Sequence, residues 1–541
     1  MGAIVQSILS DIRSGKAAVL VGAGLSMQAP TELPSGGELK DAIVGAILND
    51  QRARQSWHRI RRHSAYQKAV PELVFQEVFN SIGTRLTAFF QILNDAEPNL
   101  GHRCLGALNY KYGVDVLTTN FDRLIELGSS KRCRVTHLHG SVDRPRGLIV
   151  RLNQVGRGLA VSQRGLLRRR LRNKTLLVVG YSGTDLDIMS ELRTSGMRQV
   201  VWLLRPGSRD ATKANASTLK EVVTTRFVSA DILAFFRQIA IALGLSVGAP
   251  CMCASHPMKP NRDAILSDAS ESVSFCRRIG VAHNILFRIG CFEAAAQTAL
   301  RAIRDGAGEN ADEQAWLLNG AADAYRCVGR TMYSTRCAQR ALRLCPSAHS
   351  YYRAGSWNLL GLARSDTRRT RPQDASFAIK AFRKSLELLR EGRRPQLRSV
   401  SAEVFRNFVA RVHNNLGLAL AEARQYGEAM EQYRRSLTMK RRLGDTVGIV
   451  TTLLNLVKAG HRVGYRWNRL TRWTKEADRL IGKYTLVSQR LYYLRVVGAI
   501  RCETGQIATG RRLFQEGLLR SRTYPMDHKE FLDLLREYKK A

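Results

Sequence analysis

Short apolar runs alternate with helical patterns over the first half of the chain. Six runs have the length of β-strands and lie at residues 17–21, 114–118, 135–138, 175–179, 200–204 and near Phe227. Most are apolar throughout, which is typical of parallel strands that helices cover on both faces. The pattern predicts an α/β, Rossmann-like, doubly wound parallel sheet.

The pattern changes after residue 240. Residues 244–264 are rich in Gly, Pro, Cys and Ser and lack an amphipathic period, which indicates a linker. From about residue 268 onward only helical patterns are found. We therefore predict three parts: an α/β domain at 1–245, a linker at 246–267 and an all-α domain at 268–541.

The helices of the second half repeat a Leu-x-Gly-x-Ala pattern or a close variant of it. Its glycines, Gly320, Gly361 and Gly417, are 41 and 56 residues apart, so the period is loose. The unit around Gly417 resembles a tetratricopeptide repeat, in which small and large residues interlock two antiparallel helices. The residues that carry this resemblance are Leu416, Gly417, Ala419, Tyr426, Ala429, Tyr433 and Ser436. We predict a tetratricopeptide-like helical array, an architecture that presents extended binding surfaces.

Glycine-rich and polar loops follow four of the predicted strands, at the strand ends where doubly wound folds bind ligands. The first loop, GAGLS, contains Gly22, Ala23, Gly24 and Ser26. Its pattern predicts a tight turn that leads into a helix, whose free amides and dipole suit a phosphate. A turn of this kind also occurs for packing alone.

The second loop, TTNFD, contains Thr119, Asn120 and Asp122. It indicates either ligand contacts or a cap for the next helix, with Asp122 as the capping residue. The third loop, HLHG, contains His137 and His139, which compete for one role because residues two apart on a strand share a face. His139 is favoured, since the glycine after it lets a ligand approach.

The fourth loop, GYSGTD, contains Gly180 and Ser182, which suit hydrogen bonds to a ribose or a phosphate. Asp185 in the same loop is a candidate cap for the next helix. Each loop alone has an ordinary structural explanation, but four such loops in this order point to one ligand site.

GAGLS, TTNFD, HLHG and GYSGTD resemble the NAD-binding domain of sirtuins over residues 1–245, and most closely the sirtuin-like domains of bacterial antiphage defence proteins. The resemblance implies NAD⁺ as the substrate, with Asn120 and His139 as catalytic residues. A neutral His139 near its usual pKa would then act as a general base toward water or a ribose hydroxyl. The implied NAD-binding residues are Gly22, Ala23, Gly24, Ser26, Thr119, Asp122, Gly180 and Ser182.

The chain departs from deacylating sirtuins in two places. Residues 29–40 lack the Phe and Arg that follow the first loop in those enzymes. No Cys-x-x-Cys pairs follow His139, and Cys251 and Cys253 form the only close pair of cysteines, so we expect no metal. These departures argue against protein deacylation and favour NAD⁺ hydrolysis.

The resemblance also implies an abortive-infection effector that depletes NAD. We expect a phage-derived or other partner to activate it through the helical domain, and the protein to be a cytoplasmic homo-oligomer. The first alternative is a sensor that binds NAD or an ADP-ribose derivative without turnover.

The formal net charge of +40 raises a second alternative. Basic residues cluster at 52–62, 164–174, 368–371 and 434–442, and such a field attracts nucleic acids without sequence specificity. Arginines that solvate helix faces explain the charge equally well. We read no signal peptide and no apolar run of membrane-spanning length, so we expect no membrane association.

Overall fold

The computed structural model describes most of the chain as two compact units. The described residues are 2–94, 96–129, 131–207, 212, 215, 217–247, 262–306, 311–345, 350–365, 372–391, 402–484, 487–521 and 525–538. One unit spans Met1–Val281 and the other Ala282–Ala541. Of the predicted linker, residues 248–261 lie outside the described residues. The helix that follows, Arg262–Glu271, packs against helix Gly36–Ile47 of the first unit.

The first unit contains a six-stranded, all-parallel sheet. Its strands are β1 (Ala17–Val21), β2 (Asp115–Thr118), β3 (Val135–His137), β4 (Thr175–Val179), β5 (Gln199–Leu204) and β6 (Thr225–Ser229). They lie in the order β3-β2-β1-β4-β5-β6. The chain therefore starts in the middle of the sheet and builds outward on both sides, which confirms the predicted doubly wound fold.

Both faces of the sheet are buried. Alternate residues of β1 and β4 enter opposite cores: Val19 and Leu177 lie in one, Leu20 and Leu176 in the other. This two-residue alternation is the geometry of an extended strand. A strand with a core on each side must be apolar throughout, as the sequence of β1 is.

Helices surround this sheet in the first unit. A capping box begins helix Gly36–Ile47, in which the Ser35 side chain accepts from the Glu38 amide and the Glu38 side chain accepts from the Ser35 amide. The helices are Gly2–Arg13, Gly36–Ile47, Arg54–Arg62, Ser64–Lys68, Pro71–Ile82, Leu100–Tyr112, Leu124–Leu127, Leu152–Gly156, Val161–Leu171, Leu186–Leu192, Ile232–Leu243 and Arg262–Glu271, with 3₁₀ segments at Gly83–Asn94 and Pro145–Gly147.

Beyond Ser229 the described residues contain helices and no strand. Many consecutive helices pack against each other, for example Ser350–Ser365 with Pro372–Glu391 and Ala402–Glu422 with Tyr426–Leu443. This is the arrangement of a helical-repeat protein and confirms the predicted tetratricopeptide-like array. These helices are Phe275–Arg288, Phe292–Arg304, Ala311–Cys327, Thr331–Leu344, Ser350–Ser365, Pro372–Glu391, Ala402–Glu422, Tyr426–Leu443, Thr446–Arg462, Trp467–Tyr484, Val487–Glu503, Ile507–Arg520 and Pro525–Glu537. Within the described residues, no helix is long and apolar enough to span a lipid bilayer.

A glycine faces an aromatic ring in several of these helix pairs. A Cβ atom on Gly417 would lie 2.6 Å from the Tyr433 ring, and one on Gly361 would lie 2.7 Å from the Phe382 ring. The same contact occurs at Gly498, where a Cβ would lie 2.5 Å from the ring of Phe514. The missing side chain makes room for the buried ring, so the glycines of the repeat pattern are packing residues.

We expect Gly417→Ala to destabilise the helical unit. The added methyl group overlaps a ring that is only 1% exposed, and overpacking of this kind costs about 1–3 kcal/mol. Thermal unfolding of the full chain measures the loss. The matched control is Gly427→Ala in helix Tyr426–Leu443, where a Cβ meets nothing within 4 Å and the change should stabilise slightly. Equal effects of the two substitutions would contradict the packing role of Gly417.

Candidate functional site

The sheet register brings the ends of four strands to one edge. Val21 pairs with Thr118 on one side and with Val179 on the other, and Thr118 pairs with His137. The four loops singled out in the sequence therefore begin level with one another at the carboxyl edge of the sheet. This is the expected position of a ligand site in a doubly wound fold.

The glycines of the first and fourth loops contact each other. The Gly22 amide donates to the Val179 carbonyl (3.0 Å) and the Gly24 amide donates to the Gly180 carbonyl (2.8 Å). A Cβ atom on Gly22 would lie 2.7 Å from the Gly180 oxygen. These residues are glycines because two backbones touch. The prediction of a helix directly after the first loop is wrong, because the next helix begins at Gly36.

Two of the four residues predicted to hold phosphates keep free backbone amides. The amides of Ala23 and Ser26 make no hydrogen bond within the described residues, and Ala23 is exposed. The amides of Gly22 and Gly24 are already bonded to the fourth loop. Anion contacts from this loop would therefore come from Ala23 and Ser26.

The Ser26 hydroxyl lies at the centre of a buried polar cluster. It donates to Asp122 Oδ2 (2.9 Å), accepts from Asn120 Nδ2 (3.0 Å) and lies 3.1 Å from His102 Nε2. Burial raises the pKa of Asp122, while hydrogen bonds from the Leu124 amide and from Ser26 oppose this rise. The same carboxyl group therefore serves the cluster and, through the Leu124 amide (3.2 Å), the start of the next helix.

The positions of the hydrogens leave one acceptor without a partner. The Asn99 amide donates to His102 Nδ1 (3.1 Å), so the proton of the neutral ring is on Nε2 and points at Ser26. Burial lowers the pKa of His102 to about 3 and keeps the ring neutral. The single Ser26 proton goes to Asp122, so Asn120 must present its amide group to Ser26. Asn120 Oδ1 is then buried with no hydrogen-bond partner, which makes it an acceptor for a bound hydroxyl or water.

The two histidines of the third loop have different partners. Strand β3 ends at His137, whose Nδ1 lies 3.1 Å from the Asn120 carbonyl and whose Nε2 lies 2.9 Å from Glu126 Oε1. His139 lies beyond the strand and its Nε2 is 3.1 Å from Asp187 Oδ2. The alternation of a strand therefore does not extend to His139, and the expected competition of the two rings for one position is wrong.

Three carboxyl groups influence His139. Burial alone would lower the pKa of His139, but the hydrogen bond and charge of Asp187, together with the charges of Asp185 and Glu72, raise it above its usual value. Burial and the charge of Asp185 raise the pKa of Glu72 to about 7. Burial also raises the pKa of Asp185. The pKa of His139 therefore lies above the near-normal value expected from the sequence, and Glu72 beside it exchanges its proton near neutral pH.

The remaining candidate residues lie around this edge. The Thr119 amide donates to the Val21 carbonyl (3.1 Å), and the exposed Ser182 hydroxyl lies 2.8 Å from that of Thr184. Gly140 has a φ of +81°, and a Cβ there would lie 2.4 Å from the Gly147 carbonyl oxygen. The turn itself therefore requires Gly140, without a ligand.

Sequence reasoning missed Asp187, Glu72 and His102. Asp187 had a signal, because it follows Asp185 by two residues, just beyond the fourth loop, but only Asp185 was considered, as a helix cap. Asp185 is the residue before helix Leu186–Leu192, yet its side chain makes no capping hydrogen bond. Glu72 and His102 lie on helices Pro71–Ile82 and Leu100–Tyr112, and nothing local in their sequence links them to the strand ends.

Some residues of the basic clusters form ion pairs, and others are exposed. Arg170 and Lys174 both bind Asp115 (2.6 and 2.7 Å), whereas Arg59 and Arg62 of helix Arg54–Arg62 are exposed. The cluster at 368–371 lies outside the described residues, as do Cys251 and Cys253. Among the described residues, no group of three or more His, Cys, Asp or Glu side chains is arranged to hold a metal ion.

Comparisons with known proteins agree with the assignment of the first unit. Residues 127–222 match the family model of the SIR2-like domain. This span includes His139, Gly180, Ser182 and Asp187, whereas Ser26 and Asn120 lie before it. No curated protein is significantly similar in sequence to the chain. The chain thus combines a SIR2-like domain in a parallel α/β unit with a helical-repeat unit.

The chain is also distantly similar to several solved structures. The apo form of RapI is 16% identical, with 48% of this chain and 95% of that chain covered and a TM-score of 0.35. A Rap protein in complex with competence and sporulation factor is 14% identical, with 61% and 92% covered and a TM-score of 0.36. A STAND protein with a tetratricopeptide repeat sensor from Pyrococcus horikoshii is 11% identical, with 96% and 90% covered and a TM-score of 0.35.

Proposed function

We propose that the first unit hydrolyses NAD⁺ at the bond between nicotinamide and ribose. The observation that carries the proposal is Asn120 Oδ1, a buried acceptor without a partner among the described residues. It lies at the sheet edge where the four loops meet, two of which belong to the SIR2-like match. An acceptor held in place by Ser26 is ready to orient a ribose hydroxyl or the attacking water. Such preorganisation gives a rate advantage because the protein need not rearrange during the reaction.

In the proposed reaction, nicotinamide leaves with the bonding electron pair and water adds to the ribose carbon. The products are nicotinamide, ADP-ribose and one proton. Because His139 Nε2 faces Asp187, its other ring nitrogen is the one that can accept this proton. The nearby carboxyl groups favour both the protonated ring and the positive charge that develops on the ribose.

The stretch between His139 and β4 supports hydrolysis over protein deacylation. The described residues between His139 and β4 fold into two short helices, Leu152–Gly156 and Val161–Leu171, and this stretch contains no cysteine. A zinc module of the deacylating kind needs two cysteine pairs in this position. Water then remains as the acceptor of the ADP-ribosyl group.

Within this proposal, Asp187 is a positioning residue for His139. We expect Asp187→Asn to lower the pKa of His139, because the asparagine keeps the hydrogen bond but removes the charge that raises this pKa. A general base of lower pKa is weaker, so kcat should fall by about 10- to 100-fold. The acidic limb of the pH–rate profile should move to lower pH, since the ring now loses its proton earlier.

The control is Asp185→Asn, which removes a charge near His139 but not the hydrogen-bonded one. It should shift the same limb by less. A profile for Asp187→Asn that stays in place or moves to higher pH would rule out this role for Asp187.

We further propose that the protein is a defence effector, in which an infection cue acts on the helical unit and the first unit then depletes NAD. The deciding experiment incubates the purified chain with NAD⁺, with and without lysate of phage-infected cells, and follows nicotinamide and ADP-ribose by chromatography. Nicotinamide release that depends on the lysate is the expected result. Binding of NAD⁺ without turnover in both arms would favour a sensor. Neither binding nor turnover, with salt-sensitive binding of DNA, would favour a nucleic-acid-associated protein.

A further inference from the structure

The helical unit contains a groove with an apolar floor and a basic rim. Its volume is about 530 Å³, and residues of helices Pro372–Glu391, Ala402–Glu422 and Tyr426–Leu443 line it. A volume of this size is typical of ligand sites. Its floor consists of Leu386, Leu389, Phe405, Val409 and Met439.

The rim carries positive charge that the groove itself does not neutralise. Arg390 and Arg406 line the groove and form no ion pair or side-chain hydrogen bond within the described residues, while Arg435 pairs with Glu431 of its own helix. Among the residues that the structure describes, no acidic side chain lines the groove. An occupant that complements this surface must therefore bring negative charge to an apolar contact.

His413 adds a neutral acceptor to this surface. It lines the groove, is 9% exposed, and its Nδ1 donates to Gln432 Oε1 (2.8 Å). Burial and the charges of Arg435 and Arg390 lower the pKa of His413, against the hydrogen bond to Gln432. The ring is therefore neutral, and its Nε2 keeps a lone pair with no partner among the described residues. Such an atom accepts from an N–H group, which a peptide backbone supplies and a simple anion does not.

We propose that this groove binds a short acidic peptide segment of a partner protein. An apolar side chain of the peptide lies on the floor, its carboxylates bind Arg390 and Arg406, and a backbone N–H donates to His413. The two arginines lie on different helices, so a segment with several acidic groups matches them better than one compact anion. The chain's own residues 392–401 include three arginines and no acid, so their charge does not complement the rim.

Binding of such a segment does not depend on the chemistry of the first unit. It is tested with the full chain and a fluorescein-labelled synthetic peptide in which glutamates flank a central Leu and Phe. Fluorescence anisotropy compares this probe with a second peptide that has serine in place of the Leu and Phe, and with a single-stranded oligonucleotide of equal charge. We expect the first peptide to bind best and the serine peptide to bind about tenfold more weakly or worse.

The double variant Arg390→Glu with Arg406→Glu should weaken binding of the first peptide by at least about tenfold. The matched control is Arg434→Glu with Arg442→Glu, which changes the net charge equally at exposed positions outside the groove. It should bind like the unaltered chain, and circular dichroism should show both variants folded. The proposal is overturned if neither peptide binds, if both double variants lose binding equally, or if the oligonucleotide binds and the peptide does not.

Discussion

Replacement of His139 by alanine is expected to abolish nicotinamide release by the activated protein, with a loss in kcat of about 10²–10⁴-fold from general-base catalysis alone. The residue lies at the carboxyl edge of the sheet, and a buried carboxylate, Asp187, fixes its ring. Asn120→Ala should have a similar effect, because it removes the buried Oδ1 acceptor. Both measurements use lysate-activated protein and follow nicotinamide by chromatography.

The control for His139 is His137→Ala, two residues away in the same loop. His137 is bound to Glu126 and to the Asn120 carbonyl, so its loss should cost stability while most turnover remains. Unchanged thermal unfolding of His139→Ala would show that its loss of activity is chemical. Full turnover by His139→Ala would contradict its catalytic role. Loss of turnover in His137→Ala with full turnover in His139→Ala would reverse the assignment of the two histidines.

The second large effect is expected for Gly180→Ala, which should destabilise the first unit by more than about 3 kcal/mol. Gly180 has a φ of +63°, and a Cβ there would lie 2.5 Å from the Leu25 amide nitrogen. The left-handed backbone alone costs an alanine about 1–2 kcal/mol, and a backbone atom cannot move aside as a side chain can. Thermal unfolding and hydrogen exchange in β1 and β4 measure the effect.

Gly113→Ala separates the two contributions. Gly113 also has a φ of +63°, but a Cβ there meets nothing within 4 Å. The substitution should therefore cost only the backbone term of about 1–2 kcal/mol. If the two alanine variants unfold alike, the contact between the first and fourth loops contributes little, and Gly180 would be better explained as a ligand contact.

The positions of the strands and their burial on both faces were predictable, because both depend on local sequence. A strand buried on both faces must be apolar throughout, so β1 and β4 were identified with their observed bounds. The polar loops after these strands were predictable for a related reason, because a chain that leaves a buried sheet must turn at its edge. Knowledge of the fold class then places these loops at one edge.

The partners within the site were not predictable, because they depend on contacts between distant segments. Asp187 reaches His139 across 48 positions, and His102 reaches Ser26 across 76. The role of the loop glycines was ambiguous for the same reason. Gly22 and Gly24 have the spacing of a phosphate loop, but their amides bind the loop after β4, which no local pattern reveals.

The order of the strands has a consequence for protein synthesis. β1 lies in the middle of the sheet and pairs with β4. The central pair of strands therefore cannot form until Val179 has been synthesised and can pair with Val21. At a translation rate of about 5–20 residues per second, the chain from Ser26 to Asp187 takes roughly ten to thirty seconds to emerge. Ser26 and Asn120 are made first, and the carboxylate that orients His139 comes last. A nascent chain therefore cannot assemble this cluster of side chains until Asp187, which follows the fourth strand, has left the ribosome.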